Sequence, residues 1–186
     1  TRTLNNAGVA RLRGACYETY KGQSFSGSPF NPKGYDFSLV VAHEIGHLLG
    51  AKHTFSNINV FSKPKEIGSG VTIMGYPGAT VTHDVQDNRL PQFHNSSVKD
   101  MNNFINTRSC GIMSPSNNTP PIANAGKDYT IPKGTAFKLT GIASDVDNDN
   151  LTYSWEKDDT LINHEENVYQ NPSRRNTEGA NFRVYE

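Results

Sequence analysis

The sequence lacks a long apolar run, an excess of either charge, and any density of cysteine. Its longest apolar stretch, around Leu39 to Ala42, falls far short of the ~20 residues a membrane-spanning helix needs, so no span is expected. Lys and Arg number 18 and Asp and Glu number 18, a formal net charge of zero. That balance gives no reason to expect nucleic acid or an anionic membrane as partner. Hydrophobic residues fill only 34% of the 186 positions. That is low for one large core and suits one or two smaller units with long polar loops. Cysteine occurs twice, as Cys16 and Cys110; in a cytosolic protein, thiols so far apart are most often unrelated buried residues. No secretory leader is recognisable, and the chain opens at Thr1 without methionine, so an excerpt or a processed product is expected.

What the sequence does contain is His43-Glu44-Ile45-Gly46-His47-Leu48-Leu49-Gly50-Ala51-Lys52-His53, the pattern H-E-x-x-H-x-x-G-x-x-H. On a helix, His43 and His47 stand four residues apart and project from one face, able to share one Zn²⁺. Glu44 lies beside them, too far round to ligate but placed to take a proton from a water on the metal. Gly50 ends the helix in a left-handed backbone that glycine adopts without a Cβ penalty. The turn returns His53 as third ligand and leaves a fourth tetrahedral position open. By average residue usage the five fixed letters arise by chance with a probability on the order of 10⁻⁵, which sets aside a core helix with incidental histidines. Ile45, Leu48 and Leu49 are expected to face the core.

Downstream, Thr72-Ile73-Met74-Gly75-Tyr76-Pro77-Gly78 is a tight Gly/Pro-rich turn with one methionine. Together with the histidine run it resembles the metzincin clan of zinc endopeptidases, whose Met-turn underlies the three histidines. The resemblance implies that Met74 is the floor of the metal site and not a ligand. Gly8-Val9-Ala10-Arg11-Leu12-Arg13-Gly14-Ala15-Cys16 resembles the G-x-A-x-L-x-x-x-C segment of adamalysin/reprolysin-like peptidases, and Phe93 to Cys110 resembles their closing helix. The likeness covers roughly residues 8 to 111 and is similar to secreted bacterial reprolysin-like proteins. Two departures stand out. Reprolysins usually follow the third histidine with aspartate; here Thr54-Phe55 follows, as in pappalysin-like enzymes. The Met-x-Tyr order resembles astacins and serralysins, which implies that Tyr76 reaches the metal or the oxyanion. The competing reading of Tyr76 is a ring packed under the turn. The resemblance also implies a Cys16–Cys110 disulfide and with it a secreted or extracellular location.

The remaining organisation follows from pattern. Asp36 is expected to cap the active-site helix, which runs to about Leu49. Gly22 to Gly34 reads as a loop, and residues 54 to 92 as loop-dominated. Ser97-Val98-Lys99-Asp100 has capping-box form ahead of an apolar stripe of Val98, Met101, Phe104 and Ile105, a helix ending near Cys110. His83, His94 and His164 read as surface or loop residues. Ser114 to Pro121 reads as a linker. Beyond it, Tyr129–Ile131, Ala136–Thr140 and Leu151–Trp155 alternate like short strands. The stretch Pro121 to Trp155 resembles the first half of PKD-like or cadherin-like immunoglobulin-fold modules. Asp145-Val146-Asp147-Asn148-Asp149-Asn150 reads as a solvated turn, with a Ca²⁺ site as the alternative.

The expected fold is therefore α+β. Residues 1–112 would be the C-terminal part of a metzincin catalytic domain whose N-terminal part is missing, residues 113–121 a linker, and residues 122–186 a partial all-β immunoglobulin-like sandwich cut off at Glu186. The resemblance implies a cleft whose edge strand takes substrate as an added strand. The expected activity is Zn²⁺-dependent hydrolysis of protein or peptide substrates. Glu44 would be the base, Tyr76 an oxyanion donor, and His43, His47 and His53 the ligands. The rival is a secreted adhesin with a non-catalytic zinc site, and in either case the C-terminal module is the part suited to a cell-surface or matrix ligand.

Overall fold

The computed structural model describes residues 8–27, 35–112, 114–161, 169–171, 173 and 175–179. The chain packs as two units, Thr1–Gly111 with Trp155–Glu186, and Ile112–Ser154.

In the first unit, strand β1 (Gly8–Ala10) pairs antiparallel with β2 (Ser24–Ser26), with Val9 opposite Phe25. β2 falls inside the stretch expected to be loop. Both strands lie against helix α1 (Tyr35–Leu48). Asp36 sits within the first turn of α1 and not ahead of it, so the expected cap position is displaced. The helix ends at Gly50, whose φ is +105°. Ala51 N–H donates to Gly46 O and Gly50 N–H to His47 O, each at 2.9 Å, closing the last turn in the double-bonded pattern typical of a glycine stop. The segment after β1 adds two donors to that end, one to His47 O again and one to Leu48 O. Arg13 N–H donates to His47 O (2.9 Å) and Ala15 N–H to Leu48 O (3.2 Å).

The core of this unit is Leu39, Ala51, Ile73 and Met74, with Ala42, Phe93 and Met101 packed against it. Gly46 takes the inward position: a Cβ there would stand 2.6 Å from Met74 Sδ and 3.1 Å from Phe93 Cε1. Ile45, one residue earlier and so about 100° round the helix, is 47% exposed, while Leu48 and Leu49 are half-buried. The expected core role of Ile45 is thus corrected.

Helix α2 (Asn95–Ile105) is shorter than expected and starts earlier. Its cap is His94, not Ser97: the buried His94 side chain accepts from Ser96 N–H at 3.1 Å. His94 is therefore no surface residue, His83 stacks on Tyr169 with ring centroids 4.8 Å apart, and His164 lies outside the described residues. Phe104 is buried, whereas Val98 and Ile105 are exposed, so only part of the apolar stripe is covered. Cys16 and Cys110 are disulfide-bonded with Cα atoms 5.6 Å apart, tying the segment after β1 to the chain beyond α2.

The chain re-enters this unit at Trp155, although residues 122–186 were expected to form one module. Charge and capping explain the return. Glu156 Oε2 accepts from Asn95 N–H (2.6 Å) at the start of α2 and lies 3.6 Å from His94 Nε2. Asp158 pairs with the buried Lys65 (2.9 Å) and with Lys99 (3.3 Å), and Leu161 is buried.

In the second unit, β3 (Ile122–Asn124) pairs antiparallel with β4 (Ile142–Ser144). The three stretches expected as strands carry none. A strand needs a paired neighbour and a covered face, and Tyr129, Ile131, Phe137, Leu139 and Tyr153 are all exposed.

Candidate metal centre

α1 presents His43 and His47 from successive turns, and the Gly50 stop reverses the chain toward His53. The His53 backbone is then held in a short parallel bridge with the 61–63 segment: its N–H donates to Phe61 O (3.0 Å) and its carbonyl accepts from Lys63 N–H (2.7 Å). The three imidazoles meet. One ring nitrogen from each lies within 4.8 Å of the others, and His47 Nε2 and His53 Nε2 are 3.0 Å apart.

Tautomers follow from the partners. His43 Nδ1 is 2.7 Å from Ile73 O, and His47 Nδ1 is 2.8 Å from Ala51 O. A carbonyl only accepts, so each Nδ1 carries the proton and each Nε2 keeps its lone pair for a ligand. Burial, reinforced by the neighbouring His47, holds His43 well below the ordinary imidazole range. Burial also lowers His47. His53 is brought down to about 3 by burial and then by the charges of His47 and Arg89. All three are neutral donors at pH 7. The 3.0 Å between His47 Nε2 and His53 Nε2, and a spread of no more than 4.8 Å over all three nitrogens, are within reach of one tetrahedral ion with bonds of about 2.0–2.1 Å. The residues fit zinc.

Glu44 is buried, and burial raises its carboxyl to about 7 against the opposing pull of Arg89. One of its oxygens, Oε2, has no hydrogen-bond partner among the described residues. β1 crosses directly over it: a Cβ on Gly8 would stand 2.3 Å from Glu44 Oε1. The Tyr76 hydroxyl lies 3.0 Å from His53 Nε2, so its oxygen points into the centre. Burial, then the charge of Glu44, raises its pKa and keeps it protonated. Met74 is fully buried against α1 at Gly46, and its carbonyl accepts from Thr54 N–H at 3.2 Å. A cleft of about 1280 Å³ opens over the centre, lined among others by Val9, Phe25, Val40, Phe61 and Arg89. Small-molecule pockets are typically about 300–1,000 Å³, so the space suits a longer ligand.

The family model described as Metallo-peptidase family M12B Reprolysin-like matches residues 1–104, more than half of the 186. The chain belongs to this family. No curated protein and no solved structure matches it. Family membership together with the histidine triad makes this reprolysin-like chain a zinc metallopeptidase in kind.

Among the described residues of this reprolysin-like chain, His43, His47 and His53 form the one group of three or more metal-type side chains converging on a point. The aspartate cluster in the second unit does something else. Asp145 Oδ1 accepts from Asp147 N–H (2.8 Å) and Asp149 N–H (3.2 Å), which makes this stretch a hydrogen-bonded turn. Three residues at or behind the centre carried no sign of their contacts in the sequence: Glu66, for one, accepts from Thr54 Oγ1 next to His53. Gly8 was visible in the G-x-A segment, but its contact with Glu44 was not. Arg89 and Glu66 stand in a loop-dominated stretch whose composition carries no periodic signal.

Proposed function

We propose that this reprolysin-like chain is a zinc-dependent endopeptidase in which Glu44 is the general base and Tyr76 an oxyanion donor. The observation that supports it is the convergence of three neutral imidazoles beside a buried carboxyl with a free oxygen, at the floor of a cleft. A zinc ion held by His43, His47 and His53 would acidify a water and polarise the scissile carbonyl.

The chain's own groups supply the rest. Ile73 O and Ala51 O orient two of the imidazoles, so little reorganisation accompanies metal binding. Glu44, raised to about 7, is poised to take a proton at neutral pH and return it to the leaving amine. The protonated Tyr76 hydroxyl is a donor for charge developing on the carbonyl oxygen. A peptide laid along β1 would bring its scissile bond over Glu44. The disulfide, and the lack among the described residues of a helix long and apolar enough to cross a membrane, are consistent with extracellular action.

The test is Glu44→Gln. It should retain about one zinc per chain by metal analysis yet lose peptide cleavage by at least ~100-fold, the low end for a positioned base. Cleavage at near-wild-type rates would remove Glu44 from that role, and wild type without zinc would remove the metal reading.

A further inference from the structure

Between His53 and the turn carrying Met74 lies a buried carboxylate that the mechanism above leaves unused. Glu66 Oε1 accepts from Val71 N–H (2.9 Å) and Thr72 N–H (3.1 Å). Its Oε2 accepts from Thr72 Oγ1 (2.6 Å) and from Thr54 Oγ1. Its own N–H donates to Thr54 O at 2.9 Å. A carboxylate offers about four acceptor positions, and all four are taken. Such a network is costly to bury unless complete, and here it is complete.

The donors come from two segments that matter to the metal centre. Thr54, 1% exposed, directly follows His53 and stands where reprolysin-like peptidases usually carry an aspartate. Thr72 opens the turn whose Ile73 carbonyl orients His43 and whose Tyr76 hydroxyl faces His53. Thr54 N–H is also bonded to Met74 O, so the two segments already touch.

We propose that Glu66 is the positioning residue of the metal centre: its carboxylate clamps Thr54 to the turn Thr72–Tyr76 and so fixes His53 and Tyr76 relative to His43. The inference rests on reading the three histidines as zinc ligands. Glutamine at this position keeps the size and one oxygen, but turns an NH₂ toward two hydroxyls that now donate. Both must swing, and the clamp loosens without emptying the site.

The experiment compares the full chain with Glu66→Gln and Thr54→Val. Zinc affinity is measured by competition with a chromophoric chelator, geometry by the absorption bands of the cobalt(II)-substituted protein, and folding by far-UV circular dichroism. Glu66→Gln is expected to weaken zinc binding ~10- to 100-fold, the usual scale for losing a supporting partner of a ligand, and to shift the cobalt bands. It should lower kcat with KM nearly unchanged. Thr54→Val should reproduce part of the loss, and the two changes together should cost less than their sum, since they break one clamp. A folded Glu66→Gln with zinc affinity within twofold of wild type and unshifted cobalt bands overturns the proposal, whatever its melting temperature. If that variant does not fold, Thr54→Val decides by the same two readings. A wild type that binds no zinc overturns the metal reading beneath this one; a wild type that binds zinc but cleaves no peptide overturns only the peptidase reading.

Discussion

Replacing Gly8 with alanine probes the passage of β1 over Glu44. The added methyl would stand 2.3 Å from Glu44 Oε1, 2.7 Å from Cδ and 2.8 Å from Cγ. An unstrained carbon–oxygen contact needs roughly 3.4 Å or more, since close-packed non-bonded atoms sit about 3.5–4.0 Å apart. Either the carboxyl or the strand must therefore yield by about 1 Å. Displacing a reacting group by about 1 Å costs on the order of 100-fold in rate, and overpacking costs about 1–3 kcal/mol in stability. The strand has only three residues and one described pairing partner, so its movement should keep the stability loss at the low end. Gly8→Ala should thus bind zinc like wild type, because the three atoms nearest the methyl all belong to Glu44, while kcat/KM falls about 100-fold. Gly111→Ala, which meets no atom within 4 Å, is the control for a generic glycine effect. The assay is steady-state cleavage of a fluorogenic peptide library beside metal analysis and thermal melts. Wild-type kcat/KM in Gly8→Ala would refute the claimed contact.

Other expectations concern protons, the crosslink and the tyrosine. In metal-free protein the depressed imidazoles bind protons less readily folded than unfolded, where they titrate near 6.5. Their contribution to stability is complete above pH 6.5 and is lost as pH falls through their lowered folded values, about 3 for His53. Glu44, raised to about 7, opposes them between pH 7 and 4.5. Urea melts of Glu44→Gln should therefore show stability dropping between pH 7 and 5, and a flat profile there would contradict the buried neutral histidines. Reducing Cys16–Cys110, with a sequence separation of 94, should lower the melting temperature; the chain-entropy ceiling is about 4–5 kcal/mol, and no change on reduction would remove the bond from the stability of the unit. Tyr76→Phe should lower kcat and kcat/KM together by roughly 10- to 1,000-fold, the scale of one oxyanion donor, and unchanged kinetics would return Tyr76 to a packing role.

Much of the centre was legible because its spacing is local. His43 and His47 need only helical periodicity, and Gly50 needs only a helix stop, so the geometry of three ligands can be read from eleven consecutive residues. Cys16 with Cys110 was legible only through resemblance, since no local rule joins residues so far apart. Glu66 was invisible. Its significance lies in four donors that converge only after the chain has folded, and a glutamate in a polar loop gives no sign of burial. His94 misled only in its burial: it does lie outside the helix, but as a buried cap, a role for which the nearby Ser97 is the more usual type. The strands expected between Tyr129 and Trp155 failed because alternation marks what could face a core, while pairing depends on partners. Ile45 failed because the inward place on α1 belongs to a glycine.

The return of the chain at Trp155 has a consequence for biosynthesis. A ribosome releases the histidines, the Met74 turn and α2 well before it makes Glu156, Asp158 and Leu161. At about 5–20 residues per second, the roughly fifty residues between Ile105 and Trp155 take seconds to appear. Through that interval the first turn of α2 lacks the Glu156 carboxylate on Asn95 N–H, and Lys65, buried in the finished unit, lacks Asp158. The nascent chain thus lacks these contacts while its three histidines are already outside the tunnel. Zinc or a chaperone has its chance to meet those ligands before Glu156, Asp158 and Leu161 arrive.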